Sequence, residues 1–199
     1  MNDISLIKVT RNKGKDKQLV VHNPTKYPLI GKGKQGAVFK LSEEHCVKIF
    51  LKSKDVKLEK EVMIKFQNFS FMPKFFECGP NYIIMEYIKG TSLLEYLTKQ
   101  GKINESITKQ LVSMIKEMKC LGITNLDRHI GRHILVNNHQ VLKVIDHASS
   151  FERKPIPVRL LCTLAKLDLI KIFLQQVKTL DSKLYNEWNN YINNLASKK

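Results

Sequence analysis

Cysteine pairs, arginine and long apolar runs are what this chain does without. Its four cysteines, Cys46, Cys78, Cys120 and Cys162, stand far apart with no C-x-x-C among them. That argues against a disulfide scaffold and for reduced, mostly buried thiols. No stretch approaches the roughly 18 consecutive apolar residues of a membrane span, so no membrane partner is expected. The opening residues Met1 to Leu6 carry neither a basic leader nor a secretory apolar segment, and a cytoplasmic location is the expectation. Arginine supplies few of the 34 basic residues, and lysine does nearly all of that work.

The 199 residues, 43% hydrophobic and 26% charged, suit a soluble globular protein of one domain or a tight pair of lobes. A formal charge of +16 suggests an acidic partner such as RNA, a ribonucleoprotein or an anionic protein surface. A plainer account competes: lysine, asparagine and isoleucine are plentiful throughout, as compositional bias would produce, and dispersed lysine is a solvated surface.

The most informative stretch runs from Ile30 to Phe50. Gly31, Gly33 and Gly36 form a G-x-G-x-x-G pattern with Val38 two positions on, and Ala-Val-Phe-Lys-Leu is followed by a turn and Cys-Val-Lys-Ile-Phe. A dinucleotide-binding turn would need a helix to open at Gly36, whereas this context reads as a β-hairpin. Glycines let a hairpin tip bring backbone amides close to phosphate oxygens, and Ile30 and Val38 offer apolar area to roof an adenine ring. Alternation sends Cys46 and Lys48 to the same face, so Lys48 is placed to deliver a cation to those phosphates.

A preface of two strands, Ile4 to Val9 and Gln18 to His22, precedes this hairpin, separated by a basic turn from Arg11 to Lys17. After it, 54–67 reads as an amphipathic helix with Leu58, Val62, Met63, Phe66 and Phe69 on one stripe. Glu59 shares that stripe and Glu61 does not. An ion pair with a strand lysine is made on the packed side, which favours Glu59 as the partner of Lys48, while Glu61 suits an exposed position.

Downstream, the apolar strand Tyr82 to Met85 leads through Glu86, Tyr87 and Ile88 to a turn at Gly90 and a helix. A further helix over 104–121 takes Asn104 or Ser106 as its cap and buries Ile107, Leu111, Met114, Ile115 and Met118. Two short apolar strands follow, each associated with one aspartate: Asp127 before Ile134-Leu135-Val136, and Asp146 after Val144-Ile145. A long apolar helix is expected from Leu160 to Leu174, and a last helix over Leu184 to Leu195.

In this order the blocks resemble the protein-kinase superfamily, over about Ile30 to Phe173. The resemblance implies a two-lobed α+β kinase-like fold: an N-terminal β extension over 1–29, a β-rich lobe over 30–88 and a reduced helical lobe over 89–199. It implies ATP and Mg2+, with Mn2+ as a substitute, bound between the lobes. Backbone groups of Glu86 and Ile88 beside Met85 would meet the adenine edge, and Ser92 would sit near the ribose. Asp127 maps to the base that orients the attacking hydroxyl, and Asp146 to the metal ligand. Asp168 maps to an acid that anchors the catalytic loop, while periodicity equally allows it the wet side of its helix. The absence of an Ala-Pro-Glu segment and of peptide-docking helices is similar to the economy of RIO kinases, the kinase subunit of the KEOPS complex and small bacterial or viral kinase-like proteins.

The departures matter as much. Asn125 stands where the family has histidine two before the base, and Asp146-His147-Ala148 replaces Asp-Phe-Gly. Arg132 stands five after Asp127, where a metal-binding asparagine is expected, and His133 follows it. Magnesium prefers hard oxygen ligands, so His133 suits a softer metal or a phosphate contact. The expected activity is phosphoryl transfer from ATP to serine or threonine of a protein substrate or of the chain itself. The rival is a pseudokinase scaffold that binds nucleotide and an acidic partner without transfer.

Overall fold

The computed structural model describes residues 3–12, 18–120, 133–145 and 156–197. The chain divides into two compact units, Met1–Lys89 and Gly90–Lys199. Among the described residues the first is mainly β-sheet and the second mainly helical, a mixed α+β architecture.

The first unit begins with a 3-10 turn at Asp3–Leu6 and a two-stranded ribbon of β1 (Lys8–Arg11) and β2 (Leu19–His22). The expected strand from Ile4 is therefore shorter and later. Ile4 and Ile7 are both buried, and a spacing of three places them on one side of a tight turn, which an alternating strand would not do.

Five strands then make the main sheet, in the order β3 (Leu29–Lys32), β4 (Gly36–Lys40), β5 (His45–Phe50), β7 (Tyr82–Glu86) and β6 (Phe75–Cys78), every pair antiparallel. One face carries Ala37, Phe39, Val47, Ile49 and Ile84, which pack into a cluster with Ile4, Ile7 and Leu19 from the N-terminal ribbon. The ribbon thus covers the back of the sheet.

Helix α1 (Ser53–Lys65) buries Val56, Glu59, Val62 and Met63. Leu58, expected on the buried stripe, is 43% exposed. The buried arc is centred on Glu59, and Leu58 lies one residue step, about 100°, round the helix from it.

In the second unit, β8 (Gly90–Ser92), β9 (Ile134–Asn137) and β10 (Leu142–Val144) form a small antiparallel sheet with β9 in the centre. A side chain at Gly90 would meet the Val136 carbonyl at 2.2 Å, so glycine there lets the strands close. Helix α2 (Leu93–Gln100) follows directly, and α3 (Glu105–Cys120) is capped by the Asn104 side chain, which accepts from the Ile107 amide at 2.8 Å. The five residues expected on the buried stripe of α3 are all buried.

The long helix expected from Leu160 to Leu174 is two helices, α4 (Val158–Lys166) and α5 (Ile170–Leu180). Asp168 takes a left-handed φ of 58° between them. Its amide bonds to the Ala165 carbonyl at 3.1 Å and the Leu169 amide to the Leu164 carbonyl at 2.8 Å. This is the Schellman pairing that ends helices, and Leu164 and Leu169 are both buried beneath it. Apolar periodicity runs through the break because both helices use the same core. Helix α6 (Ser182–Ala196) closes the unit, capped by Asp181, with Trp188 fully buried and stacked on Phe173 at 5.9 Å.

Candidate functional site

Strand register decides which side chains share the sheet face opposite the N-terminal ribbon. Val38 pairs with Lys48, and Lys48 with Ile83; one row along, Lys40 pairs with Cys46, and Cys46 with Met85. Directly paired residues point the same way. Lys48 and Glu59 meet on this face, Nζ to Oε2 at 2.6 Å, with the residues 7% and 1% exposed. The ammonium also lies 4.8 Å from the centre of the Phe50 ring. Glu61 is exposed on the far side of α1. Both charges are out of water, so each depends on the other and on its remaining partners to stay ionised.

The glycine turn sits at the end of the same hairpin. The Gly33 amide bonds to the Gly36 carbonyl at 2.9 Å, and the Leu51 amide to the Gln35 carbonyl at 2.8 Å. The three glycines are not equivalent. A side chain at Gly36 would strike the Ile49 carbonyl at 2.1 Å, one at Gly31 would make ordinary contact with Val38, and one at Gly33 would meet nothing nearer than 4.0 Å. Gly36 is therefore required by strand packing, whereas Gly33 leaves open space beside a backbone amide region. Between Leu29 and Gly31 the ladder shifts register, and Ile30 is the extra residue. A bulge re-aims the side chain it carries, and Ile30 is 43% exposed. An apolar group held open next to the glycine turn can cover a flat ring.

At the other edge of that face, Met85, the last residue but one of β7, is buried between Cys46 and Phe75 in the ladder. The Glu86 amide is engaged by the Lys74 carbonyl at 2.8 Å, and its carboxylate accepts from the Lys74 amide at 3.0 Å. The Cys46 thiol reaches the Glu86 carbonyl at 3.6 Å. A thiol is a weak donor. Burial, followed by the Glu86 carboxylate, pushes the Cys46 thiol up to about 12. Ile88, two residues on, is buried.

In the second unit Ser92 is the N-cap of α2. Its hydroxyl accepts from the Glu95 amide and the Glu95 carboxylate accepts in return from the Ser92 amide at 3.1 Å. That capping box occupies the hydroxyl expected near a ribose. The β9–β10 hairpin is extended by the Ile145 amide, which donates to the His133 carbonyl at 2.8 Å. His133 is half-buried and faces the residue just before Asp146 in the ladder. Residues 121–132 and 146–155 lie outside the described residues, and with them Asn125, Asp127, Arg132 and Asp146. Among the described residues no group of three or more histidine, cysteine, aspartate or glutamate side chains is gathered as a metal site. Asp168 presents an exposed side chain at the α4–α5 break.

Two contributors escaped the sequence reading. Phe50 shares the Lys48 face by alternation, a signal that was present. Gln110 carried none: its Nε2 donates to the Gln140 carbonyl at 2.8 Å and its Oε1 accepts from the Leu142 amide at 2.9 Å. One side-chain amide from α3 thereby grips the turn of the β9–β10 hairpin, whose two arms lead to His133 and Ile145.

No protein-family profile matches the chain. It is similar to YrzF of Bacillus subtilis (strain 168), whose name provisionally calls it a serine/threonine-protein kinase: 30% identical over 125 residues, 60% of this chain and 58% of YrzF. It is also similar to zyg-1 of Caenorhabditis briggsae, again provisionally named a serine/threonine-protein kinase, at 27% over 116 residues, 51% of this chain and 16% of that protein. The chain thus spans less than two thirds of the length of these relatives. Among solved structures, Rad53 1-466 in complex with AMP-PNP aligns over 61% of this chain and 37% of its own, with 21% identity and a TM-score of 0.45. No helix among the described residues is long and apolar enough to cross a membrane.

Proposed function

We propose that the chain is a nucleotide-dependent phosphotransferase of the protein-kinase-like superfamily. Within that class it reads as an atypical serine/threonine-protein kinase that phosphorylates a protein or itself. The observation that carries this is the buried Lys48–Glu59 pair on the sheet face that also bears Val38, at the end of which the glycine turn lies. The names of the relatives support the same class.

In this reading Lys48 neutralises nucleotide phosphate oxygens while Glu59 holds its ammonium in place. The amides around Gly33 approach the phosphates, Gly31 and Gly36 shape that turn, and Ile30 and Val38 cover the adenine. The Glu86 carbonyl and the Ile88 backbone address the adenine edge beside Met85, and Ser92 lies toward the ribose. The acceptor hydroxyl oxygen forms a bond to the γ-phosphorus, the bond to the bridging oxygen breaks, ADP leaves, and Asp127 takes the hydroxyl proton. Magnesium would be held by the Asp146 carboxylate, the right donor type for it; the His133 imidazole is not. Four free cysteines suit a reducing compartment, and we assign the protein to the cytoplasm.

A second reading, a scaffold that binds nucleotide without transferring phosphate, is favoured by Arg132 in the position of the metal-binding asparagine. The basic surface would then engage RNA, a ribonucleoprotein or an acidic protein. Calorimetry with ATP, with and without magnesium or manganese, and labelled-phosphate transfer by the native chain and Asp127→Ala separate these. Binding with transfer that falls at least 100-fold in Asp127→Ala supports the kinase. Binding without transfer supports the scaffold, and absence of ATP binding overturns both.

A further inference from the structure

Arg11 ends β1, and its Nη2 donates to the main-chain carbonyl of Lys34 at 2.8 Å, across 23 residues of sequence. Lys34 lies inside the glycine turn. The carbonyls of the next two residues are held as well, Gln35 by the Leu51 amide and Gly36 by the Gly33 amide. Three successive carbonyl oxygens at the tip therefore each hold a donor. The Gly33 amide belongs to the turn itself, the Leu51 amide follows the end of β5, and the third donor is a guanidinium brought in by the N-terminal ribbon.

The ribbon is a firm support for that reach. Arg11 pairs with Leu19 in the β1–β2 ladder, and Leu19 belongs to the buried cluster with Phe39, Val47 and Ile49 on the back of the main sheet. The Asn12 amide bonds to the Gln18 carbonyl at 3.1 Å, so the ladder continues past Arg11. The contact is exposed to solvent, and the guanidinium brings a charge-assisted donor to it. A carbonyl at the tip that was free to swing would turn its oxygen toward an incoming anion, whereas one tied to Arg11 cannot do so without losing its donor.

We propose that the N-terminal ribbon is a working part of the nucleotide site, and that Arg11 is a positioning residue that presets the tip of the glycine turn for phosphate oxygens. This rests on the ATP reading above. Presetting a loop in its bound form reduces what binding must spend on ordering it, and the benefit goes only to ligands that carry phosphates.

Hydrogen exchange and calorimetry on the full chain test it, using Arg11→Ala and Arg11→Lys. In the nucleotide-free protein, Arg11→Ala speeds exchange at the Gly33 and Leu51 amides about tenfold, leaves the central amides of β5 unchanged, and keeps the melting temperature within a few degrees. ATP affinity falls about five- to tenfold while adenosine affinity is unchanged, and Arg11→Lys recovers part of the loss. Unchanged exchange at Gly33 and Leu51 overturns the positioning role whatever the nucleotide data say. Equal weakening of ATP and adenosine overturns it too, since that is the mark of general destabilisation. Faster exchange in a chain whose native form binds no ATP would keep the mechanical link, and would overturn both the phosphate-presetting role and the reading on which it rests.

Discussion

Lys48 on β5 and Glu59 on α1, eleven residues apart, meet at 2.6 Å with both side chains out of solvent. Removing one partner strands the other charge in a dry site, which costs about 3–5 kcal/mol, whereas apolar residues of similar volume at both positions are often tolerated. Lys48→Met is therefore expected to be strongly destabilising in urea denaturation, and Lys48→Met with Glu59→Leu less so. Nucleotide binding should be lost in both. A double variant less stable than either single one would show that the pair's other partners dominate its energy.

The unequal glycines make a second test. Gly36→Ala forces a side chain into the Ile49 carbonyl and is expected to cost about 1–3 kcal/mol, the range for overpacking. Gly33→Ala meets open space and should change stability by less than about 0.5 kcal/mol. Any loss of ATP affinity in Gly33→Ala, read by calorimetry beside thermal denaturation, then reports close approach of the ligand to the backbone.

Gln110 supplies a third. Gln110→Ala leaves the amide of Leu142, a buried residue, without its acceptor, and an unsatisfied buried group costs about 1–3 kcal/mol. Exchange at the Leu142 amide should rise more than at amides in the middle of α3. Gln110→Glu keeps the acceptor and sets a carboxylate against the Gln140 carbonyl, so it should protect Leu142 only in part.

Cys46 predicts an alkaline effect with a definite sign. Its folded-state pKa, about 12, lies above the ordinary 9.0 because burial disfavours the thiolate. Stability from the neutral thiol is fully present below about 9 and is lost as pH rises toward 12. Denaturation midpoints across that interval should fall less steeply in Cys46→Ala than in the native chain. The remaining slope includes Tyr82, whose pKa is also raised, chiefly by its hydrogen bond to Glu77. At neutral pH an alkylating reagent should leave Cys46 unmodified while Cys120, which is exposed, reacts.

Asp168 holds a left-handed φ that glycine adopts without strain. Asp168→Gly is expected to stabilise the second unit by up to about 1 kcal/mol, seen as a higher melting temperature. A lower one would mean that the carboxylate itself contributes at the break.

How much of this could be read in advance depended on how local the cause was. The β5 alternation that puts Cys46 and Lys48 on one face, and the spacing that favoured Glu59 over Glu61, are properties of single elements, and the ion pair with Glu59 follows from them. The stripe of α3 was legible for the same reason. The N-terminal turn at Ile4 and Ile7 was not, because apolar residues three apart satisfy a strand-like run as easily as a tight turn. The break at Asp168 was hidden because two helices burying one core keep a single periodicity across a Schellman turn. Gln110 and Arg11 act through main-chain carbonyls far away in sequence, and nothing in their neighbourhoods marks them.

The cover that the ribbon gives the sheet has a practical side. A shortened version of this protein starting just ahead of β3, the natural place to cut if only the glycine hairpin and the chain beyond it were wanted, would bare the apolar row of Ala37, Phe39, Val47 and Ile49. Exposed patches of that kind invite self-association. Such a fragment should be sticky and poorly recovered even if every residue assigned to nucleotide were retained, and its failure in an assay would say nothing about chemistry.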